Sequence, residues 1–375
     1  MISYGRHSLN RRDRKAVSEV LSSEWLTLGP KVPLFESAIS DLVGAESFVL
    51  SSGTAALHCA YAALDLKPGD EIITPPLTFV ATQAAAMHFG ARIVFADVTP
   101  ETGQMDPAVV ESLITDKTRA LVGVDYAGHP GYLDEYRSIA KAHNLFFVED
   151  AAHSMGSLYK GLPVGQLADL TTFSFFPTKN ITTGEGGAVS SNNSVLLDKA
   201  RKFGRQGMIK DPKRFITPPE GRWHQEVHEI GLNYRLPDIL ATLGSSQISR
   251  LGEFKKKRKV LFNYYQEQLS GFRDLTMPYS ESFVDPMWHL FPLRVKRGLR
   301  NELFEYLWEN DIFVQVNYVP SYFHPVFRKL GYEPGLCPIA EQYYQEEISL
   351  PLHPNLTKRD LDKVTRVIHS FLKNN

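Results

Sequence analysis

Four polar features fall where a sheet enzyme places its chemistry. Lys179 lies in PTKNITTGE (177–185), between two β-rich runs and just before the turn Thr183-Gly184-Glu185-Gly186-Gly187, where glycine lets backbone approach a ligand closely. Asp150 ends the run LFFVED. A carboxylate there can pair with a protonated pyridine nitrogen, the partner that pyridoxal-type cofactors use. Gly53-Thr54-Ala55 follow a β-rich run and open a helical one, so their N–H groups and the Thr54 hydroxyl suit a phosphate. Ser174, in Phe-Ser-Phe, adds a hydroxyl close in sequence to Lys179. Singly, each has a plain explanation: a turn or cap aspartate, a helix-capping Gly-Thr, a solvated loop lysine. Together, in the order phosphate turn, Asp, Ser, then Lys before a glycine-rich turn, they describe one ligand site.

The elements that must position them alternate. FVLSS (48–52) precedes a helical pattern at 53–64, and EIITPP (71–76) precedes another at 78–89. RIVFADV (92–98), ALVGVDYAG (120–128) and LFFVEDAA (145–152) are further strand candidates, separated by helix-length stretches. LTTFSFF (170–176) and GGAVSSN (186–192) are adjacent strands joined by the lysine loop. Continuous apolar strands alternating with helices imply a doubly covered, mostly parallel sheet. In such sheets ligands sit beyond the carboxyl ends of the strands. The Pro- and charge-rich stretch 208–222 is expected at the surface, and one long helix is expected from Pro237 to about Leu269. A smaller α/β unit follows, with WHLFPLRV (288–295), a helix at 300–310, VQVNYVP (314–320), ISLPL (348–352) and a closing helix at 357–373. The expected division is 1–265 for the large domain, with its N-terminal segment, and 266–375 for the small one.

Global properties exclude several classes. The 375 residues are 43% hydrophobic and carry a formal net charge of −1, which suggests neither nucleic acid nor an acidic membrane as partner. Two cysteines, Cys59 and Cys337, fit a reducing compartment rather than a disulfide scaffold. No apolar run approaches the roughly 20 residues of a membrane helix, and a cytoplasmic location is expected. WHQEVHE (223–229) sets His224 and His228 at helical i, i+4 spacing, but Gln225 and Val227 stand where zinc motifs need Glu, so no metal is expected. KKKRK (255–259), flanked by Leu251, Phe254, Val260 and Leu261, reads as a solvated helix face rather than a nucleic-acid patch, with charge to offer an anionic ligand.

DAAHSMG (150–156) with FSFFPTKNITTGEGGA (173–188) resembles the sugar-nucleotide aminotransferases of the DegT family. LTLGPKVPLFE (26–36), SSGTAAL (51–57), PPLTFVAT (75–82), GLNYRLPD (231–238) and ISLPLHP (348–354) match its pattern in order, so the resemblance covers nearly the whole chain. It implies the aspartate-aminotransferase-like α/β fold, PLP fold type I, with a mostly parallel seven-stranded sheet and a smaller C-terminal α/β domain. It implies pyridoxal 5′-phosphate (PLP) carried covalently by Lys179, with Asp150 on the ring nitrogen, Phe79 stacked on the ring and His153 near the phenolic oxygen. Gly53, Thr54 and Ser174 would hold the phosphate, and Asn233 would reach the phosphate bound to the partner subunit of a homodimer with shared sites. Lys179 is then general base and acid, and Asp150 keeps the ring an electron acceptor. Related sugar dehydratases carry His in place of this lysine, so transamination is expected. One departure is Phe176, where many relatives have His.

Within the family, VQVNYVPSYFHPVF (314–327) and WHLFPL (288–293) look most like the members of the pseudaminic-acid pathway. Those aminate C4 of a UDP-linked 4-keto-6-deoxy-N-acetylhexosamine at the expense of L-glutamate. The same resemblance assigns substrate contacts to Tyr4, Glu24, Trp25, Leu26, Thr27, Ser52, Gln315, Val316, Asn317 and Tyr318. Packing of the domains is the other reading of Trp25 and Tyr318. Other functions remain open at this stage: amination of a GDP- or dTDP-linked ketosugar, or a regulatory paralogue that binds PLP without turnover.

Overall fold

The computed structural model describes residues 1–374. Its large sheet contains β1 (Glu46–Leu50), β2 (Glu71–Thr74), β3 (Arg92–Phe95), β4 (Thr118–Val124), β5 (Phe146–Asp150), β6 (Leu170–Ser174) and β7 (Gly187–Ser191), in the spatial order β1-β7-β6-β5-β4-β2-β3. β7 runs against both neighbours and every other pair is parallel. Helices α1 (Arg11–Leu21), α2 (Lys31–Val43), α3 (Gly53–Ala63), α4 (Ala81–Met87), α5 (Pro107–Leu113), α6 (Leu133–Ala142) and α7 (Ser194–Gly204) accompany it. β2 is buried at every position, as a strand covered on both faces must be. α3 lies between the sheet and α7 and buries Ala55, Ala56, Leu57, Cys59, Ala60, Tyr61 and Ala63, mostly small side chains that let it approach the strands. Register decides the site. Val124 pairs with Asp150, and Asp150 with Thr172, so β4 and β5 end at one level and β6 runs two residues further, to Ser174.

The rest comprises α8 (Asp238–Ile248), α9 (Leu251–Leu269), α10 (Arg300–Glu309), α11 (Pro325–Lys329), α12 (Pro338–Glu346) and α13 (Lys358–Asn374), with an antiparallel sheet of β8 (Leu275–Thr276), β9 (Phe291–Val295) and β10 (Glu347–Leu350). α13 turns Leu361, Val364, Ile368 and Phe371 inward at helical spacing and packs on α9 and α10. The first residues of the chain run onto this unit: Ile2 bridges to Ile312, and Leu352 donates to the Tyr4 carbonyl. Val314–Pro320 joins the small sheet only through an isolated bridge between Gln315 and Ser349.

Two expectations change. The single helix from Pro237 to Leu269 is two, broken at Ser249 and Arg250, where Arg250 has φ −114° and ψ 3°. The cause is long-range. The Arg250 guanidinium turns to Asp13, which is 1% exposed, and pairs with it at 2.7 Å. Asp13 also accepts from Ser246 Oγ (2.6 Å) and from the Asn10 N–H (2.8 Å). KKKRK is not wholly a solvated face. Lys256, Lys257 and Lys259 are exposed, but Arg258 is buried and donates to the carbonyls of Trp288 (3.2 Å), His289 (3.3 Å) and Leu352 (2.8 Å). WHQEVHE is not helical. Glu226–Val227 pairs with Met208–Ile209, and His224 and His228 both turn to Glu226. Among the described residues, no helix is long and apolar enough to cross a membrane, and no three His, Cys, Asp or Glu side chains gather as a metal site.

Removing one member of a buried ion pair strands the other, at about 3–5 kcal/mol. Asp13→Ala should therefore lower the unfolding free energy from urea titration by about that much, while Asp13→Ala combined with Arg250→Met should recover part of the loss. A double variant less stable than Asp13→Ala would show that the pair does not set this junction.

Candidate active site

Four turns meet at the carboxyl edge of the large sheet. Ser52 leaves β1 and caps α3, its hydroxyl accepting from the Ala55 N–H at 3.1 Å. The first turn of α3, Gly53 and Thr54, therefore opens on the cavity with its N–H groups free of intrahelical partners. Gly53 is required by packing: a Cβ there would lie 2.9 Å from Cβ of Ser174, at the end of β6. Gly187 is required likewise, since a Cβ would strike the Ser52 carbonyl. The loop between β6 and β7 is tied down by Phe175 N–H to Gly186 O (2.8 Å), Thr183 N–H to Phe175 O (3.0 Å) and Asn180 Nδ2 to His153 O (2.6 Å). This holds Lys179 over the strand ends. A cavity of about 430 Å³ results, lined by Ser52, Gly53, Thr54, Phe79, Asp150, His153, Ser174, Lys179 and Tyr318.

Its electrostatics follow from burial. Asp150 is 5% exposed, accepting from Thr82 Oγ1 at 2.7 Å and from the Ala152 N–H at 3.2 Å. Burial pushes its carboxyl up, and the Thr82 hydroxyl, the Ala152 N–H and the Lys179 ammonium pull it back. Burial brings the Lys179 ammonium down to about 8, with Asp150 opposing. His153 is held well below the usual imidazole range, by burial and then by Lys179, and is neutral. Its Nε2 meets the Tyr318 hydroxyl at 3.1 Å, its ring packs on His289 with centroids 4.3 Å apart, and its Nδ1 is buried without a hydrogen-bond partner. Beneath Asp150 lie two more buried carboxyls, Asp125 and Glu149. Burial raises Asp125 well above the carboxylate range and Glu149 to about 7, so this layer retains a proton near neutrality.

These residues fit PLP. An anion cradle at Gly53-Thr54 and Ser174, a buried acid at Asp150, a lysine of lowered basicity and an orphaned imidazole nitrogen at His153 share one cavity of suitable size. Other expected residues lie elsewhere. Glu24, Trp25, Leu26 and Thr27 are exposed and outside the cavity, with Trp25 52% exposed and so not a packing residue within this chain. Asn233 is exposed and outside it, accepting from the Arg235 N–H. Gln315 is exposed, and Val316 donates to its side chain. The Tyr4 hydroxyl and Asn317 are buried against each other at 2.6 Å. The sequence reading missed Thr82, although it stands four residues after Thr78, with which it shares a 2.9 Å hydroxyl contact. It also missed His289, for which only the fold supplies a signal.

Lys179 makes the cofactor-free protein's stability depend on pH. Its folded pKa is depressed, so the unfolded chain binds more protons between about 8 and its ordinary 10.5, and stability rises with pH across that window. Lys179→Met should therefore stabilise the cofactor-free protein at pH 7, by at most about 3 kcal/mol. The gain should vanish above the window. A gain in thermal midpoint that is the same at pH 7 and above the window would contradict the assigned burial.

Comparison with known proteins agrees with the site. The model of the DegT/DnrJ/EryC1/StrS aminotransferase family matches residues 7–369. The chain is 35% identical over 380 residues to the UDP-4-amino-4,6-dideoxy-N-acetyl-β-L-altrosamine transaminase of Campylobacter jejuni subsp. jejuni serotype O:23/36, covering 100% of this chain and 98% of that one. Helicobacter pylori PseC, an aminotransferase of pseudoaminic acid biosynthesis, superposes with a TM-score of 0.93 at 32% identity over 100% of both chains. Spr1654 of Streptococcus pneumoniae in its PLP form does so with a TM-score of 0.92 at 27% identity, over 100% and 99% of the two chains. The chain thus belongs to the DegT/DnrJ/EryC1/StrS aminotransferase family and has the α/β architecture of PLP fold type I.

Proposed function

We propose that this aminotransferase carries PLP on Lys179 and moves an amino group from L-glutamate to the C4 ketone of a UDP-linked 4-keto-6-deoxy-N-acetylhexosamine. The product is UDP-4-amino-4,6-dideoxy-N-acetyl-β-L-altrosamine. The observation that carries the reading is the single cavity that gathers Lys179, Asp150, His153, Ser174 and the Gly53-Thr54 turn. PLP, when bound, supplies the electron sink and the amino-group carrier. Gly53, Thr54 and Ser174 would hold its phosphate, Asp150 its ring nitrogen and Phe79 its ring face, with His153 on the phenolic side. Asp150, backed by Thr82 and Ala152, keeps a proton on the ring nitrogen. Lys179, its basicity lowered by burial, would take a proton from the donor carbon and return it to C4 of the sugar. Tyr318 faces the cavity, and the reading gives substrate contacts also to Tyr4, Glu24–Thr27, Ser52 and Gln315–Asn317.

The sugar is proposed from the relatives' specificity. A panel of UDP-, GDP- and dTDP-linked ketosugars assayed with L-glutamate should give the highest kcat/KM for the UDP-linked 4-ketosugar. Preference for a dTDP-linked 3-ketosugar would refute the substrate.

The active unit is a homodimer in this reading. Large apolar side chains stand exposed at Trp25 (52%), Leu28 (60%), Ile216 (80%), Trp223 (76%) and Ile230 (90%), surface that a second copy of the chain would cover. Asn233 lies near the last of these and outside its own cavity, and so supplies a donor to the neighbour's phosphate. Lys179→Ala and Asn233→Ala should each be inactive alone. Mixed as hybrid dimers they should regain activity, because one site per hybrid carries neither lesion. Confirmed hybrids without activity would place Asn233 in its own subunit's site.

A further inference from the structure

Asn317 sits in the segment 315–318, and three of its hydrogen-bonding groups are held. Its N–H donates to Glu347 Oε2 at 2.7 Å, its carbonyl accepts from the Tyr126 hydroxyl, and its Nδ2 reaches Ser349 Oγ at 3.0 Å and the Tyr4 hydroxyl at 2.6 Å. Ser349 Oγ in turn bonds Glu347 Oε1. Gln315 and Ser349 exchange two backbone bonds, fastening the segment to β10. The next residue, Tyr318, enters the cavity and bonds His153 Nε2.

Glu347 is the root of this network. It is fully buried at the start of β10, with no ion-pair partner among the described residues. A buried carboxylate without a counter-charge is costly. Burial here pushes the carboxyl up to about 8, against the pull of Ser349, the Asn317 N–H and Arg300, so it is largely neutral at pH 7. A neutral acid is an unusual choice for a fastening that any acceptor could make, unless its reach and shape are what is needed.

We propose that Glu347 is a positioning residue for the reaction: by holding the Asn317 N–H it fixes the segment 315–318 on β10 and aims Tyr318 at His153. This rests on the reading of the cavity as the PLP site. Gln at 347 has the same reach and offers an acceptor to Asn317 and a donor to Ser349. Asp withdraws the carboxyl by about 1.5 Å and releases the N–H.

The test compares E347Q, E347D, Y318F and the double variant E347D/Y318F as purified PLP-loaded proteins. Readouts are the visible absorption maximum of the bound cofactor, its dissociation constant, thermal midpoint, and kcat and KM separately. E347Q should match the unaltered protein within about threefold. E347D and Y318F should shift the absorption band in the same direction and lower kcat by about tenfold or more. The double variant should be no worse than the weaker single one, because contacts that act through one another do not add. Losses that multiply in the double variant, a poorly active E347Q, or an E347D that loses thermal stability alone would each overturn the proposal. Should E347D fail to fold, S349A takes its place, with the same coupling to Y318F expected and multiplied losses again overturning it. Borohydride reduction of the unaltered protein separates this failure from that of the parent reading. Attachment of the cofactor to a lysine other than Lys179 would condemn the site assignment itself.

Discussion

A carboxyl and an ammonium must be taken out of water together at the carboxyl edge of the large sheet. Asp150 is 5% exposed, and burial alone costs an ionised group several kcal/mol. The Thr82 hydroxyl, the Ala152 N–H and the nearby Lys179 charge offset that cost. Those partners come from α4, the turn after β5 and the loop after β6. They converge because β4 and β5 end level, β6 runs two residues past them, and Gly53 lets α3 approach β6. The arrangement leaves both groups displaced from their ordinary protonation ranges, which is the usual mark of a catalytic cleft.

The same logic extends outward. Asp125 and Glu149 lie one layer below Asp150, and a proton held between them keeps the layer from accumulating three negative charges. His153 is wedged between Tyr318 and His289, all at low polarity, so it remains a neutral imidazole beside a cation. His289 is steadied by its own backbone, since its N–H donates to Ala127 O at 2.7 Å and its carbonyl accepts from Arg258. Arg258 also grips Trp288 and Leu352, so one buried guanidinium joins α9, the approach to β9 and the segment after β10. It has carbonyls rather than carboxylates as partners, and burial lowers it only to about 10, so it stays charged at neutral pH.

Polar contacts tie the small sheet and α9 to the cavity wall. Glu347, Asn317 and Tyr318 form one such line and Arg258 with His289 another, and both end on His153.

The sequence by itself determined what depends on neighbours in the chain. Apolar runs such as EIIT and FFVED are legible as buried strands, Ser52-Gly53-Thr54 as a helix start, and Asp150, Ser174 and Lys179 as polar groups at strand ends. Their order carried the resemblance to the aminotransferase family. Tertiary structure alone decided what depends on distant partners. Arg250 breaks a helix because Asp13, 237 positions away, is buried against it. Tyr4 and Asn317 meet across 313 positions, and Arg258 leaves its lysine neighbours in water while its own guanidinium is buried. WHQEVHE had helical spacing but pairs as a strand with Met208–Ile209. In each case a long-range hydrogen bond or ion pair outweighs a local preference of a few tenths of a kcal/mol per residue, and no local pattern records it.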